Sequence, residues 1–325
     1  MASNHNLKGI GFGTWAWGNK LIWGYDPEKN DPALREAFKS SVKAGLSLVD
    51  TADSYGTGKL NGRSETLIGE YLSSLSQHHR EKITIATKLA PFPWRLGRNG
   101  LKKAFLASKR RLRGNLDLLQ LHWSTARYAP MQENLLLDGL GDLVESGDVK
   151  SIGLSNLGPK RLQYISKKLG VRGIKIHSLQ VQFSLLCPLP KERPNILDIC
   201  EELGIELISY SPLALGILTI PPGEEGRNLS FIRSKLFQNL IPKTIELRTL
   251  LESISKERGV SQAQCAINWC RSHNTFPIPG IRSSMQAIDI GSALKWELSS
   301  EEIKDLDIAS EKCQARMPNN PFQSN

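Results

Sequence analysis

Asp31-Pro-Ala-Leu-Arg-Glu-Ala-Phe-Lys-Ser-Ser-Val-Lys-Ala-Gly-Leu-Ser-Leu-Val-Asp50 holds one complete step of a repeating pattern. Asp31 can cap a helix and Pro32 suits its first position. Leu34, Phe38 and Val42 then recur at i, i+4 and i+8, which lines one helical face, and Gly45 supplies a stop. The run Leu46–Asp50 is short, apolar and strand-like, and it ends on a carboxylate. Helix, glycine, short apolar strand and polar terminus form the unit whose repetition sets the fold.

The unit recurs along the chain. Strands are expected at Gly9–Thr14, Leu46–Asp50, Ile83–Thr87, Leu116–Leu121, Ser151–Leu154, Leu179–Phe183, Ile205–Ser209 and Thr275–Pro279. Several are near-continuous apolar runs, as parallel strands covered on both faces require. Helical stretches separate them, among them Met131–Glu145, Arg193–Leu203 and Gln262–Arg271 capped by Ser261. Ser299 with Glu302 makes a capping box. Eight such alternations predict a single-domain α/β fold, a (β/α)8 TIM barrel spanning 1–325. A doubly wound sheet is the alternative, but no GxGxxG follows a strand.

Two segments break the pattern. Residues 212–242 form a long stretch rich in Gly and Pro after strand seven, expected to act as a strap or lid. The tail 314–325 has no periodicity and is expected either to be disordered or to lie across a barrel face.

Composition narrows the class. A chain of 325 residues with 40% hydrophobic and 23% charged content can bury a large core. No run reaches the ~18 apolar residues of a membrane span, and the start Met1-Ala-Ser-Asn-His-Asn-Leu-Lys8 lacks an apolar signal core. A cytoplasmic location follows as the default. The five cysteines, Cys187, Cys200, Cys265, Cys270 and Cys313, are odd in number and make no CxxC, and the histidines make no HExxH, so neither a disulfide frame nor a metal site is expected. The net charge of +10 is densest at Lys109-Arg-Arg-Leu-Arg113, the end of an expected helix. Cations favour that position. No nucleic-acid motif accompanies them, so neither nucleic acid nor membrane is expected as a partner.

The chemistry lies at the strand ends. In a barrel these share one mouth. Asp50 ends strand two, Lys88 ends strand three, His122 ends strand four, and Tyr55 follows strand two closely. Adjacent strands lie about 5 Å apart, so these side chains can meet. A phenol is a poor acid near neutrality. A nearby ammonium is expected to stabilise its phenolate and lower its pKa, with a carboxylate holding the ammonium charged. Such a tyrosine can protonate a carbonyl oxygen while hydride arrives from elsewhere, and the imidazole can orient that oxygen.

At these residues the chain resembles the aldo-keto reductases, a family of NAD(P)H-dependent barrel enzymes. The matching stretches are Gly11-Phe-Gly-Thr-Trp15, Val49-Asp-Thr-Ala-Asp-Ser-Tyr-Gly56, Ala86-Thr-Lys88, Leu116-Asp-Leu-Leu-Gln-Leu-His122, Ile152-Gly-Leu-Ser-Asn156, Gln180-Val-Gln-Phe183, Ser209-Tyr-Ser-Pro-Leu213 and Pro277-Ile-Pro-Gly280, in family order from about residue 9 to 310. The segment from Gly13 to Tyr25 looks most like plant and cyanobacterial members.

The resemblance implies Tyr55 as general acid, Lys88 and Asp50 as its tuning pair and His122 as the substrate-orienting residue. It implies that Ser155, Asn156 and Gln180 hold the nicotinamide carboxamide and that Tyr210 stacks beneath the ring. Gly13, Thr14, Trp15 and Asp50 complete that end. Ser211, Pro212, Leu213 and Gly216 match the pyrophosphate strap. Gly280, Arg282, Ser283, Gln286 and Asp289 match the adenosine end, where a guanidinium on a 2′-phosphate favours NADPH over NADH. Two positions depart from the pattern: Ile288 stands where an acidic residue is usual, and Ile290 where asparagine is usual.

The substrate is expected to be a small carbonyl compound. Trp15, Trp17, Trp94 and Trp123, with Trp23, are expected to give the pocket an apolar, aromatic rim, and Arg95 and Arg127 lie in the same loops. The chain is expected to be a monomer or a weak homo-oligomer. Two other functions fit part of this pattern: a non-catalytic NADPH-binding regulatory subunit, and an aldolase using Lys88 as a Schiff-base nucleophile.

Overall fold

The computed structural model describes residues 9–190, 193–224, 234, 235, 237–318, 320, 321, 323 and 324. The expected strap 212–242 therefore falls partly outside the described residues, as do the start Met1–Lys8 and part of the tail.

Eight strands form one sheet in sequential order: β1 Phe12–Gly13, β2 Leu48–Asp50, β3 Thr84–Leu89, β4 Leu118–Leu121, β5 Ser151–Ser155, β6 Ile176–Gln182, β7 Glu206–Tyr210 and β8 Phe276–Ile278. Every neighbouring pair is parallel. The sheet closes where the amides of Gly11 and Gly13 donate to the carbonyls of Pro277 and Pro279 and Gly13 bridges Gly280. Closure is tight: a Cβ on Gly11 would lie 2.7 Å from the Leu48 carbonyl oxygen and 3.0 Å from an Ile278 methyl. Only glycine lets β1 sit between its two neighbours. The expected (β/α)8 barrel is the fold.

Helices cover the outside. The first long one, Pro27–Lys43, starts earlier than its sequence suggests. Asp26-Pro27 carries the same cap-and-proline signature as Asp31-Pro32 and begins the helix; the Asp26 side chain accepts from the Glu28 amide. Pro32 sits inside the helix, in its second turn, and can give no amide hydrogen to the Glu28 carbonyl. Asp31 instead binds Tyr25 and Arg63 through its side chain. Likewise the helix expected at 193–203 spans Ile196–Leu203, because Asn195 and Asp198 form a capping box there. The capping box of Ser299 and Glu302 starts Ser300–Lys312 as expected.

Hydrophobic packing forms three clusters, two larger ones and a small one inside the barrel. Most buried apolar residues, such as Leu119, Leu121, Leu154 and Leu179, lie between sheet and helices. A smaller cluster, Leu48, Ala86, Leu118, Ile208, Phe276 and Ile278, plugs the barrel interior. Strand side chains alternate with period two. The interior residue two places beyond Leu48 is therefore Asp50, beyond Ala86 is Lys88, beyond Leu118 is Gln120, and beyond Ile208 is Tyr210. One layer above its apolar floor, the barrel interior becomes polar.

In the basic run, Arg111 pairs with Glu65 at 2.6 Å and Lys109 with Asp148 at 3.6 Å. Among the described residues no helix is long and apolar enough to cross a membrane. All five cysteines are free thiols.

Candidate active site

The polar layer centres on Asp50. Its Oδ2 accepts from Lys88 Nζ at 2.5 Å. Its Oδ1 accepts from Gln180 Nε2 at 2.8 Å and from Gln120 Nε2 at 3.2 Å. Asp50, Lys88, Gln120 and Gln180 are all buried. Burial pulls the Lys88 ammonium down from its ordinary pKa, and the Asp50 carboxylate opposes that pull. Lys88 is not on the cavity wall; its ammonium faces Asp50 and lies 5.1 Å from the centre of the Tyr55 ring.

This geometry corrects the expected tuning of Tyr55. Burial first, then the Asp50 charge and Tyr210, push the phenol well above 10. Lys88 lies over the ring, and burial together with the Asp50 charge outweighs its pull on the phenol. The phenol keeps its proton across the physiological range. His122 follows β4 and meets Tyr55 edge to face at 5.9 Å. Burial first, then Lys88 and Arg95, hold its imidazole well below 6.5, so it is neutral. Its Nδ1 lies 3.4 Å from Ser54 Oγ. Tyr55 and His122 both open onto one cavity.

That cavity has a volume of about 1140 Å³ and runs from Tyr55 and His122 to Arg282, Gln286 and Asp289. It exceeds what a drug-sized ligand needs, and its polar groups are grouped at two ends. At the inner end Asn156 hydrogen-bonds on every side. Its Nδ2 donates to the His122 carbonyl and to Ser155 Oγ, each at 3.0 Å. Its Oδ1 accepts from the Tyr210 hydroxyl at 2.8 Å and from Asn320 Nδ2 at 2.9 Å. Asn320 also donates to the Tyr210 oxygen at 2.9 Å. Described residues of the tail thus lie across the mouth, with Met317, Pro318, Asn320 and Pro321 on the cavity wall. The amide of Gly158 and the carbonyl of Ser324 bond as well, which pins the tail beside β5.

At the outer end the Arg282 guanidinium lies over Trp23, 4.8 Å from the ring centre, and burial lowers its pKa. Gln286 Oε1 accepts from the Arg282 amide at 2.8 Å. Asp289 accepts from Gln264 Nε2 at 2.7 Å and from Ser261 Oγ at 2.8 Å. Ile288 points outward at 59% exposure, whereas Ile290 is buried and touches the cavity. Between the two ends, Ser211, Ala214 and Leu215 hold positive φ, a strained backbone beside the cavity.

Of the residues expected at a cofactor site, Gly13, Trp15, Asp50, Ser155, Asn156, Gln180, Tyr210, Ser211, Pro212, Leu213, Gly216, Gly280, Arg282, Gln286 and Asp289 line this cavity. Thr14 and Ser283 do not. Thr14 is buried, its hydroxyl donating to the Asp50 carbonyl, and Ser283 caps the helix Ser284–Ser292. The aromatic rim differs from expectation. Trp15, Trp23 and Trp123 are on the wall. Trp17 is fully buried against Phe12 and Tyr71, its indole donating to the Ile281 carbonyl. Trp94 is 73% exposed and stacks on the outer face of Phe92. Phe92 takes the wall position instead. Arg95 is bound to Asp53 and to the Ala90 carbonyl, and Arg127 is exposed.

Sequence reasoning missed Gln120, Ser54, Phe92 and Asn320. Gln120 had a signal: it is polar within an apolar run and two places before His122, hence on the same strand face. Asn320 had none, because its partners lie 164 and 110 residues away.

Known proteins match the whole barrel. The Aldo/keto reductase family model matches residues 9–311. A chloroplastic pyridoxal reductase from Arabidopsis thaliana is 44% identical, covering 97% of this chain and 86% of that protein. A methylglyoxal reductase from Escherichia coli is 28% identical over 94% of this chain and 91% of that one. Among solved structures, an aldo-keto reductase from Klebsiella pneumoniae in complex with NADPH superposes with a TM-score of 0.70 at 25% identity, covering 96% of this chain and 94% of that one.

Proposed function

Because this chain belongs to the aldo-keto reductase family, we propose that it reduces an aromatic aldehyde to the alcohol, with Tyr55 as the proton donor. It is an NAD(P)H-dependent oxidoreductase, and its cofactor is NADPH. NADPH, when bound, supplies the hydride that reaches the carbonyl carbon. The chain's own residues supply the remainder. Tyr55 gives its hydroxyl proton to the carbonyl oxygen as negative charge builds there. The neutral His122 ring donates a hydrogen bond to the same oxygen and fixes its direction. Lys88, held charged by Asp50, lies close enough to the Tyr55 ring to favour the phenolate left behind. A proton from solvent then restores the phenol.

The cavity suits the dinucleotide. Amide and hydroxyl groups at Ser155, Asn156 and Gln180 match a carboxamide, and Arg282 at the far end matches a phosphate. The observation that carries the reading is the meeting of Tyr55 and His122 at an aromatic-walled cavity, directly above the Lys88–Asp50 pair. Trp15, Phe92 and Trp123 favour a flat ring, and the 44% identical pyridoxal reductase supports a pyridoxal-like aldehyde. Lys88 is poorly placed for Schiff-base chemistry, being 1% exposed and paired. We retain the cytoplasm as the proposed location; the chloroplastic relative makes a plastid the rival, and imaging of a fluorescent fusion separates them.

The test is Tyr55→Phe, followed by NADPH fluorescence titration and turnover on a panel including pyridoxal, benzaldehyde and methylglyoxal. NADPH binding should stay within about 3-fold while turnover falls at least ~100-fold. Turnover near that of the unaltered protein would remove Tyr55 from the mechanism. Equal kcat/KM for the aromatic and aliphatic aldehydes would remove the substrate class.

A further inference from the structure

The Asp50 carboxylate is held by more than the lysine expected beside it. Gln120 Nε2 reaches its Oδ1 at 3.2 Å, and Gln180 Nε2 reaches the same oxygen at 2.8 Å and Gln120 Oε1 at 3.4 Å. The carboxylate is thus divided: Oδ2 faces Lys88, and Oδ1 is clamped by two amides. Hydrogen bonds to an ionised group are worth roughly twice those between neutral partners, and they fix its plane. Gln120 is fully buried and is not on the cavity wall, so its route to the cavity is through Asp50.

Room for Gln120 is built into the next strand. In the register of β4 and β5, Gln120 stands opposite Gly153. A Cβ at 153 would lie 3.0 Å from Gln120 Cγ and 2.7 Å from Ser178 Oγ. The missing side chain on β5 is the space that the glutamine stem uses.

We infer that Gln120, seated in the gap at Gly153, is a positioning residue for proton transfer: it fixes the Asp50 carboxylate so that Oδ2 stays aimed at Lys88 and the ammonium stays charged beneath Tyr55. This rests on the reading of Tyr55 as proton donor. The groups that act on the Lys88–Asp50 pair are Asp53 and Tyr55 from the loop after β2, Glu65 from the helix Arg63–Leu72 and His122 after β4; Arg95 after β3 acts on His122, and Tyr210 from β7 acts on Tyr55. None of them contacts Gln120 through a hydrogen bond, so the role of Gln120 can be isolated from theirs.

The experiment measures kcat and KM against pH for Gln120→Met and Gln120→Glu, with pyridoxal and NADPH. In Gln120→Met the alkaline limb of kcat should move down by about one pH unit, because Lys88 is less firmly held. At pH 8, kcat should fall about 5–20-fold, with KM for NADPH within 2-fold. Gln120→Glu has the same shape and keeps a donor only while its carboxyl is protonated. Its activity should therefore be nearest to the unaltered protein on the acid side and fall as pH rises, since a second carboxylate then opposes Asp50. A filler of the barrel interior would lower melting temperature without moving either pH profile, and that result overturns the inference. If Gln120→Met does not fold, the isosteric Gln120→Glu decides alone: a profile parallel to that of the unaltered protein overturns the inference. Should Tyr55→Phe keep its turnover, the proton-donor reading fails; should Tyr55→Phe be inactive while both Gln120 variants behave as the unaltered protein, only the present inference fails.

Discussion

Two aspartates at opposite ends of one cavity are held very differently. Asp50 sits in the barrel interior, 2% exposed, with a lysine on one oxygen and two glutamines from other strands on the second. Asp289 sits on a surface helix and binds Ser261 and Gln264, which belong to the start of the neighbouring helix. At the Asp50 end, Lys88, Gln120 and Gln180 from three further strands define one arrangement, so the carboxylate is fixed by contacts across the barrel interior. At the Asp289 end, one helix and one guanidinium line the cavity. Under the proposed function, folding fixes the reaction end and leaves the adenosine end to tune affinity.

Asp50→Ala should break this contrast most strongly. It leaves the Lys88 ammonium buried and unpaired, which costs roughly 3–5 kcal/mol of folding stability. Asp289→Ala removes two hydrogen bonds nearer solvent and should cost about 1–3 kcal/mol. Chemical denaturation of both variants checks the difference, and equal losses would erase the distinction between the two ends.

Arg282→Ala comes next. Loss of a guanidinium from a 2′-phosphate should weaken NADPH binding about 10–100-fold and leave NADH nearly unchanged. Titration with both cofactors reads this directly. An equal loss for both would mean that Arg282 serves the pyrophosphate or the adenine ring.

A smaller effect belongs to His122. Its folded pKa lies well below 6.5 because of burial, Lys88 and Arg95. Below pH ~6.5 the unfolded chain takes up a proton that the folded chain refuses. Stability that is present above that pH is therefore lost as pH falls towards the folded value, at up to about 1.4 kcal/mol per pH unit from this group. Urea unfolding of the unaltered protein and of His122→Asn at pH 7.5 and pH 5.5 should show a shallower loss in the variant.

Trp23→Leu should give the smallest change. A cation over an exposed aromatic face is worth about 0.5–1 kcal/mol, so loss of the ring under Arg282 should weaken NADPH about 2–5-fold without altering kcat. A larger drop would make Trp23 part of the cofactor wall in its own right.

The barrel was legible because its signals are local and repeated. Each strand is a short apolar run, and Asp50 and Lys88 lie two residues past the apolar floor positions Leu48 and Ala86. Period two carries that information without knowledge of any distant contact. Where local signals are duplicated, they mislead: Asp31-Pro32 looks like a helix start, but Asp26-Pro27 is the start. Tryptophans in loops have no period at all. Trp15 and Trp17 are two places apart, yet one faces the cavity and the other is sealed beneath Ile281. The electrostatics of Tyr55 were illegible for a related reason. A lysine near a phenol acidifies it only where burial and neighbouring anions do not outweigh its attraction, and the burial of Tyr55 beside Asp50 is a property of the folded interior.

The tail has a consequence for the order of events in a newly made chain. Asn156, Tyr210 and Asn320 form one hydrogen-bonded group, and Asn320 is synthesised after all eight strands. The sheet can close, and its helices can cover it, before the residue that completes the cavity wall has emerged. Becoming a barrel and becoming a finished pocket are then two separate moments, and a nascent chain stalled between them would hold its full scaffold with an open mouth.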